Sequence, residues 1–442
     1  MNFRQHIKPN FLLAYPVMLS MLGQVMTGVA DSVMVGWTGA VPLAASSFAN
    51  IFFTIPLFFG VGVSYAITPL VAQAEGASDT AKIIAVLKNG SIINLTTGLL
   101  LVLLIFAIEP LMTLMGQPEE VVTLAIPYLS IIAVSIIPTM IFQTYRQFAE
   151  GLQRTRVAMI IVIGSNLLNI ALNYVLIFGY YGFPELGLNG AGWATLISRV
   201  VMAISMMGYV YFGTRYQPFR AVFSVGGYSP SLISKMLHIG IPSGSQFIFE
   251  AGAFGFSAIM MGWLGTTALA AHQIAINLAT ISYMTTSGLG AAATIRVGNF
   301  LGQHDRKNLR SSAFAMIWMA IGIMALWALL FIFGKESLPS LYIDDQAVLQ
   351  LTSSLMIIAA FFQLSDGIQV VTAGALRGLQ DVKIPSVLIF VAYWIIALPL
   401  GYVLAFVFEW AAIGIWIGLL IGLTITASAM VIRFNRLSQA IQ

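Results

Sequence analysis

Five ionisable side chains lie deep inside apolar stretches of this chain: Asp31, Arg199, Glu250, His272 and Asp366. A charge near the centre of a bilayer costs at least about 3 kcal/mol, so such residues tend to mark a site or a pathway. Glu250 and Asp366 both sit well inside their stretches. Two carboxylates converging in a low-dielectric site share a proton or hold a cation. The alternative is that neighbouring polar groups satisfy each acid separately. Phe254 follows Glu250 by one helical turn, on the same face, and its ring could face a bound cation. Asp31 comes much earlier. The run "SNLLNIALN" places Asn166, Asn169 and Asn173 on one helical stripe. Three amides can line an aqueous cavity or tie helices together, and Asp31 favours the cavity. His272, in "AAHQIAIN", reads as a hydrogen-bonded packing residue rather than a proton relay. Arg199 reads as structural, either neutralising a carboxylate such as Asp31 or bonding helix-end carbonyls.

Only a membrane scaffold can hold these groups. Of 442 residues, 59% are hydrophobic and 8% charged, against about 25% charged in a soluble domain. Apolar runs long enough to span lie near 11–36, 43–74, 84–108, 122–145, 157–180, 188–212, 232–262, 268–295, 311–334, 347–376, 384–408 and 410–434. The first follows "MNFRQHIKPN" with no small-residue cleavage site, so it reads as a retained helix rather than a signal peptide. Lysines and arginines gather before the first run, in every second connection and after the last. The intervening connections hold Lys335 and the acids Glu109, Glu119, Glu120, Glu185, Glu336, Asp344, Asp345 and Glu409. That asymmetry predicts a multi-pass protein of the cytoplasmic (inner) membrane with both termini cytoplasmic.

The chain repeats itself. "MVGWTGAVPLAA" from Met34 and "MMGWLGTTALAA" from Met260 agree at seven of twelve positions, 226 residues apart. Pro16 matches Pro242 at the same spacing, "EGLQRTR" matches "RGLQDVK", and "YVLIF" matches "YVLAF". Each Gly-Trp-x-Gly core reads as a tight helix-end turn with an interfacial Trp. The Gly/Pro-rich segment from Gly213 to Ser231, which holds Gly226, breaks the apolar pattern between six runs and six. The predicted domains are therefore an N-terminal six-helix lobe (1–212), a cytoplasmic linker (213–231) and a C-terminal six-helix lobe (232–442). The predicted fold is an all-α integral membrane protein of twelve transmembrane helices. Because six is even, the repeats are parallel, related by a pseudo-two-fold along the membrane normal. The acids are not copied: Asp31 aligns with Ser257, and Glu250 with Gln24.

Several chemistries are excluded or disfavoured. With no cysteine, the chain has no disulfide frame, thiol nucleophile or Cys-based metal site. No G-x-x-x-x-G-K-[ST], H-E-x-x-H or G-x-S-x-G occurs, and an intramembrane enzyme would have only His272 among deep histidines. The "NLT" at Asn94 falls inside a span and reads as chance. The net charge of +4 is spread over membrane connections rather than forming a nucleic-acid surface. A channel is the remaining alternative of another class; it would show ion flux without stoichiometric exchange. A flippase for lipid-linked precursors would share the two-lobe plan but needs a basic cavity, and the deep groups here are mainly acidic.

The chain resembles the multidrug and toxic compound extrusion (MATE) family, and its NorM branch in particular. The resemblance covers nearly the whole chain. It rests on "ADSVMVGWTG" around Asp31, "FEAGAFGFS" around Glu250, "LAAHQIAINL", and "FFQLSDGIQVVTAGALRGLQD" around Asp366. It implies an antiporter that exports small cationic or amphipathic, often aromatic, drugs against Na+ or H+, with no other cofactor and a monomer as the functional unit. It implies that Glu250 and Asp366 bind the coupling cation, Na+ being favoured, with Phe254 assisting. Asp31 would couple in the other lobe, joined by Asn169 and Asn173; a related branch carries Asp at the position of Asn173. The resemblance further implies drug contacts for Asp344, Asp345 and Tyr283, and a bend at Pro16.

Overall fold

The computed structural model describes residues 3–223 and 227–440, and all regular structure among them is helical. The first half runs α1 (Phe3–Gly36), α2 (Ala40–Ser64), α3 (Ile67–Gly76), α4 (Thr80–Ile108), α5 (Glu119–Val134), α6 (Ile136–Gly151), α7 (Thr155–Phe178) and α8 (Gly187–Phe212). The second runs α9 (Pro230–Trp263), α10 (Thr266–Gly302), α11 (Arg306–Phe333), α12 (Gln346–Gly378), α13 (Lys383–Phe390), α14 (Leu398–Tyr402) and α15 (Ala411–Ala440). Among the described residues, ten helical stretches are long and apolar enough to cross a membrane. Of the twelve predicted spans, those matching α9 and α10 fall outside the ten, although these helices are 34 and 37 residues long. Polar residues such as Gln246, Glu250, His272 and Gln273 interrupt them. An all-helical membrane protein follows from the physics of lipid, where each span must satisfy its own backbone.

Contacts divide the molecule into two compact units. One is Leu19–Gly244; the other is Ser245–Gln442 together with Met1–Met18. The division therefore falls inside α1 and α9, two residues after Pro16 and two after Pro242, not within 213–231. Bare glycine surfaces explain where the helix beginnings pack. In the C-terminal unit, a side chain on Gly288 of α10 would collide with Met18 and lie 2.8 Å from the Ala14 carbonyl oxygen. In the N-terminal unit, a side chain on Gly62 of α2 would collide with Gly244, and one on Gly240 would come 2.7 Å from the Val63 carbonyl oxygen. Small residues let helix backbones approach this closely. Both prolines lie inside helices that remain continuous through them.

The rest of the segment read as a linker is held to the N-terminal unit. Thr214–Phe223 forms a 3₁₀ helix. Its Tyr216 is buried against Phe148 and Tyr209, and Arg154 lies 4.5 Å from the Tyr216 ring centre. Burial pushes the Tyr216 hydroxyl up to about 12. The Ser229 amide donates to Asn89 Oδ1 at 3.0 Å. Gly226 lies outside the described residues.

The sequence repeat is also a structural one. Gly39 and Gly265 precede α2 and α10 with φ of +131° and +113°, a region that favours glycine. The Trp37 and Trp263 that precede them are 68% and 58% exposed, as an interfacial anchor needs. Before α4, Ser78 takes φ +56° and Asp79 accepts from the Lys82 amide at 2.9 Å. Before α11, His304 takes φ +55° and Asp305 accepts from the Asn308 amide at 3.0 Å.

Candidate functional site

Glu250 of α9 and Asp366 of α12 come together in the C-terminal unit, near enough to interact electrostatically. Asp366 is buried and Glu250 half-buried. Glu250 Oε1 accepts a hydrogen bond from Gln369 Nε2 at 2.8 Å. Arg377, further along α12, also acts on Glu250 electrostatically. On the other side of Asp366, Gln363 Oε1 accepts from the Ser282 hydroxyl of α10 at 2.6 Å. Gln363, Asp366 and Gln369 are spaced by three residues, which stacks them on successive turns of α12. All three are buried.

Aromatic rings wall this group. The Phe254 ring centre is 6.1 Å from that of Phe362 and 5.9 Å from that of Tyr393. Tyr393 is buried and within electrostatic reach of both Glu250 and Asp366. It belongs to Val391–Ala397, where the helix widens to π geometry between α13 and α14. Such widenings recur at functional sites because they re-aim side chains within a helix. Beside Tyr393, Trp394 donates its indole N–H to the Phe249 carbonyl at 3.0 Å. Its ring also fills the space that a side chain on Gly252 would need, 2.9 Å from that Cβ position. The widened turn is thereby pinned to α9 within one turn of Glu250.

The N-terminal unit holds a different assembly. Asn173 Nδ2 donates to Asp31 Oδ1 and lies 3.3 Å from Asn169 Oδ1. Asn169 Nδ2 in turn reaches Thr195 Oγ1 of α8 at 3.4 Å. The asparagine stripe of α7 thus meets Asp31 of α1. Asn166 lies on the same stripe, its Nδ2 3.1 Å from where a Cβ on Gly23 would sit. Arg199 of α8 donates to Ser135 Oγ at 2.7 Å and sits 5.0 Å over the Phe53 ring. It also acts on Asp31 electrostatically.

The remaining residues singled out in the sequence have the following places. Tyr283 of α10 is half-buried and within electrostatic reach of Tyr393. Asp345 caps α12, its Oδ1 accepting from the amides of Ala347 and Val348 at 2.9 and 3.1 Å. Asp344 is exposed beside it. Pro16 is buried in α1. His272 is buried with its ring edge-on to Trp416 at 5.8 Å, a packing arrangement. Gln369, Gln363, Ser282, Tyr393, Trp394 and Thr195 escaped the sequence reading. Gln363 and Gln369 had a usable signal, since each lies three residues from Asp366. Among the described residues no group of three or more His, Cys, Asp or Glu side chains could hold a metal. A monovalent cation bound between two carboxylates and neutral oxygens needs no such cluster.

The MatE family model matches residues 16–175 and 242–403, each stretch starting at one of the repeated prolines. The Probable multidrug resistance protein NorM of Rhizobium meliloti is 36% identical over 442 residues, covering 98% of this chain and 94% of that protein. The Multidrug resistance protein NorM of Photobacterium profundum is 33% identical over 441 residues, covering 98% and 96%. Among solved structures, the crystal structure of MATE in the bent conformation superposes with a TM-score of 0.90 at 20% identity, covering 100% of this chain and 98% of that one. At that identity the likeness speaks for the fold.

Proposed function

This chain belongs to the MatE family of transporters, and we propose on that premise that it is a secondary active multidrug exporter of the inner membrane. It exchanges small cationic or amphipathic, aromatic drugs for Na+ or H+, with both termini cytoplasmic. The names of its relatives, multidrug resistance proteins, support drugs as the substrates. The observation that carries the mechanism is the Glu250–Asp366 pair, two acids near enough to act on each other electrostatically within a membrane helix bundle. An ionised carboxylate in a dry site is costly. A proton, a Na+ or an organic cation each relieves that cost. Where their occupancies exclude one another, inward movement of the ion drives outward movement of the drug; linkage through the protein's conformation serves as well as a shared site. Phe254 and Tyr393 supply the aromatic faces that favour a cation over neutral solutes. Asp31, with Asn169 and Asn173, supplies a second polar site that couples to the first. Two acids and two neutral amides on α9 and α12 favour Na+ as the coupling ion. A flippase for pyrophosphate-linked lipids would need cations where these acids stand.

The test is ethidium efflux from proteoliposomes under separately imposed Na+ and pH gradients. At least one gradient is expected to drive uphill efflux. Ion leak of the same size with and without ethidium, and no uphill movement, would mean a channel and end the antiport reading.

A further inference from the structure

We propose that Gln369 is a third ligand-bearing arm of the cation site, orienting Glu250 through its amide N–H and offering its amide oxygen to a bound Na+. The inference rests on the antiport reading above and extends it to a residue and an ion. Glu250 Oε1 sits 2.8 Å from Gln369 Nε2. When Glu250 is ionised it only accepts, so the amide presents its nitrogen to it, which places the amide oxygen at the other end. That end, Gln369 Oε1, is buried and makes no hydrogen bond, while the Tyr393 hydroxyl interacts with the same amide group. A buried acceptor left unpaired costs about 1–3 kcal/mol, so most buried amides find a donor. Here the orphan oxygen belongs to a side chain already bound to one acid and one turn from the other. A cation between the acids is the partner that would relieve all three groups together.

A proton and a Na+ make different demands on such a site. A proton needs one carboxylate lone pair. A dehydrated Na+ needs several oxygens in place of its hydration shell, and neutral carbonyl oxygens are the usual supplement to side-chain charge. Two carboxylates alone suit the proton. Two carboxylates and an amide oxygen suit the metal ion. The surroundings hold the amide in place. Gln369 is buried, and Gln363, two turns back on α12, is tied to Ser282 at 2.6 Å. Tyr393 and Trp394 occupy the widened turn alongside. Gln369 is thus a positioning residue for Glu250 and a selector between the two coupling ions.

The purified transporter in detergent reports Na+ binding by equilibrium uptake of ²²Na+ and by the Na+-dependent change in tryptophan fluorescence, with Trp394 as the nearby reporter. Gln369→Met keeps the volume and removes the amide. It is expected to raise the Na+ concentration for half-saturation at least about tenfold. In proteoliposomes it should depress Na+-driven ethidium efflux at least about tenfold more than proton-driven efflux. Gln369→Asn keeps an amide but shortens its reach; it should raise half-saturation about threefold or more, and it provides the reading if the Met variant does not fold. Unchanged half-saturation in the folded variants overturns the proposal. So does a parallel fall of Na+-driven and proton-driven efflux, which is what a purely structural glutamine would give. A wild-type protein that is proton-driven and binds no Na+ overturns the role of Gln369 but leaves the antiport reading standing. A wild-type protein driven by neither gradient removes the antiport reading itself.

Discussion

The two units share their joints and differ in their polar interiors. Where α3 packs on α6 and α10 packs on α12, equivalent contacts recur. Thr68 donates to the Gln147 carbonyl at 3.1 Å, and Thr294 to the Gly374 carbonyl at 2.9 Å. A side chain on Gly151 would lie 2.7 Å from Val71 Cβ, and one on Gly378 would lie 2.8 Å from Val297 Cβ. Gln153 and Gln380 leave those helices with φ of +62° and +64°. Deeper in the bundle the likeness stops. On α7 a regular helix presents Asn169 and Asn173 to one acid, Asp31. In the matching part of the second repeat the helix widens and presents Tyr393 and Trp394 beside two acids. Turn geometry and close helix contact tolerate little change, because a glycine contact or a left-handed residue has few substitutes. Polar side chains in the bundle can change wherever a partner changes with them. Duplication therefore preserved a frame and left two sites free to specialise.

The sharpest way to break this comparison is to remove the acids one unit at a time. Asp366→Asn and Glu250→Gln are each expected to lower ion-driven efflux about 100-fold or more while the protein still reaches the membrane, read by ethidium efflux against immunoblotted membrane content. Wild-type efflux from either variant would sink the assignment of the C-terminal site. A middle-sized effect should come from the shared frame. Gly151→Ala and Gly378→Ala should each destabilise by about 1–3 kcal/mol, the usual cost of overpacking, and by similar amounts, measured by thermal unfolding in detergent. A large loss in one and none in the other would show that the joints are not equivalent. The smallest effect concerns the helix caps. Asp79→Ala and Asp305→Ala should each cost about 1 kcal/mol at neutral pH. The Asn308 amide holds the Asp305 carboxyl below its ordinary range. A depressed folded-state value means the contribution is present at neutral pH and fades as acidification passes through the ordinary carboxylate range towards the depressed value. The gap between the thermal melts of wild type and Asp305→Ala should therefore narrow steadily as the pH falls through the ordinary carboxylate range towards the depressed value. A gap that stays constant on acidification would rule out capping by the ionised carboxylate.

Much of this was legible in the chain itself. Apolar length predicts membrane helices, and deep acids stand out because lipid makes them expensive. The stripe Asn166–Asn169–Asn173 was readable because a regular helix keeps its period. Tyr393 and Trp394 were not, because a widened turn shifts which side chains share a face and leaves no periodic trace. Gln369 carried a signal in its three-residue spacing from Asp366, but its partner Glu250 lies 119 positions earlier in the chain. Asp345 illustrates a signal passed over, since an acid just before a helix is a common N-terminal cap. The compositional break at 213–231 marks where the chain leaves the helices; it does not mark where contacts divide. That division depends on glycines at Gly62 and Gly288, whose partners are far away in sequence.

Because residues up to Met18 pack with Ser245 onward, and residues before Ser245 pack with the first half, each unit lends the other an arm. The ribosome delivers the opening arm first, yet its partner Gly288 emerges more than 250 residues later. A protein cut between the repeats would yield two pieces that each carry the other's missing part, so neither could be completed without its counterpart.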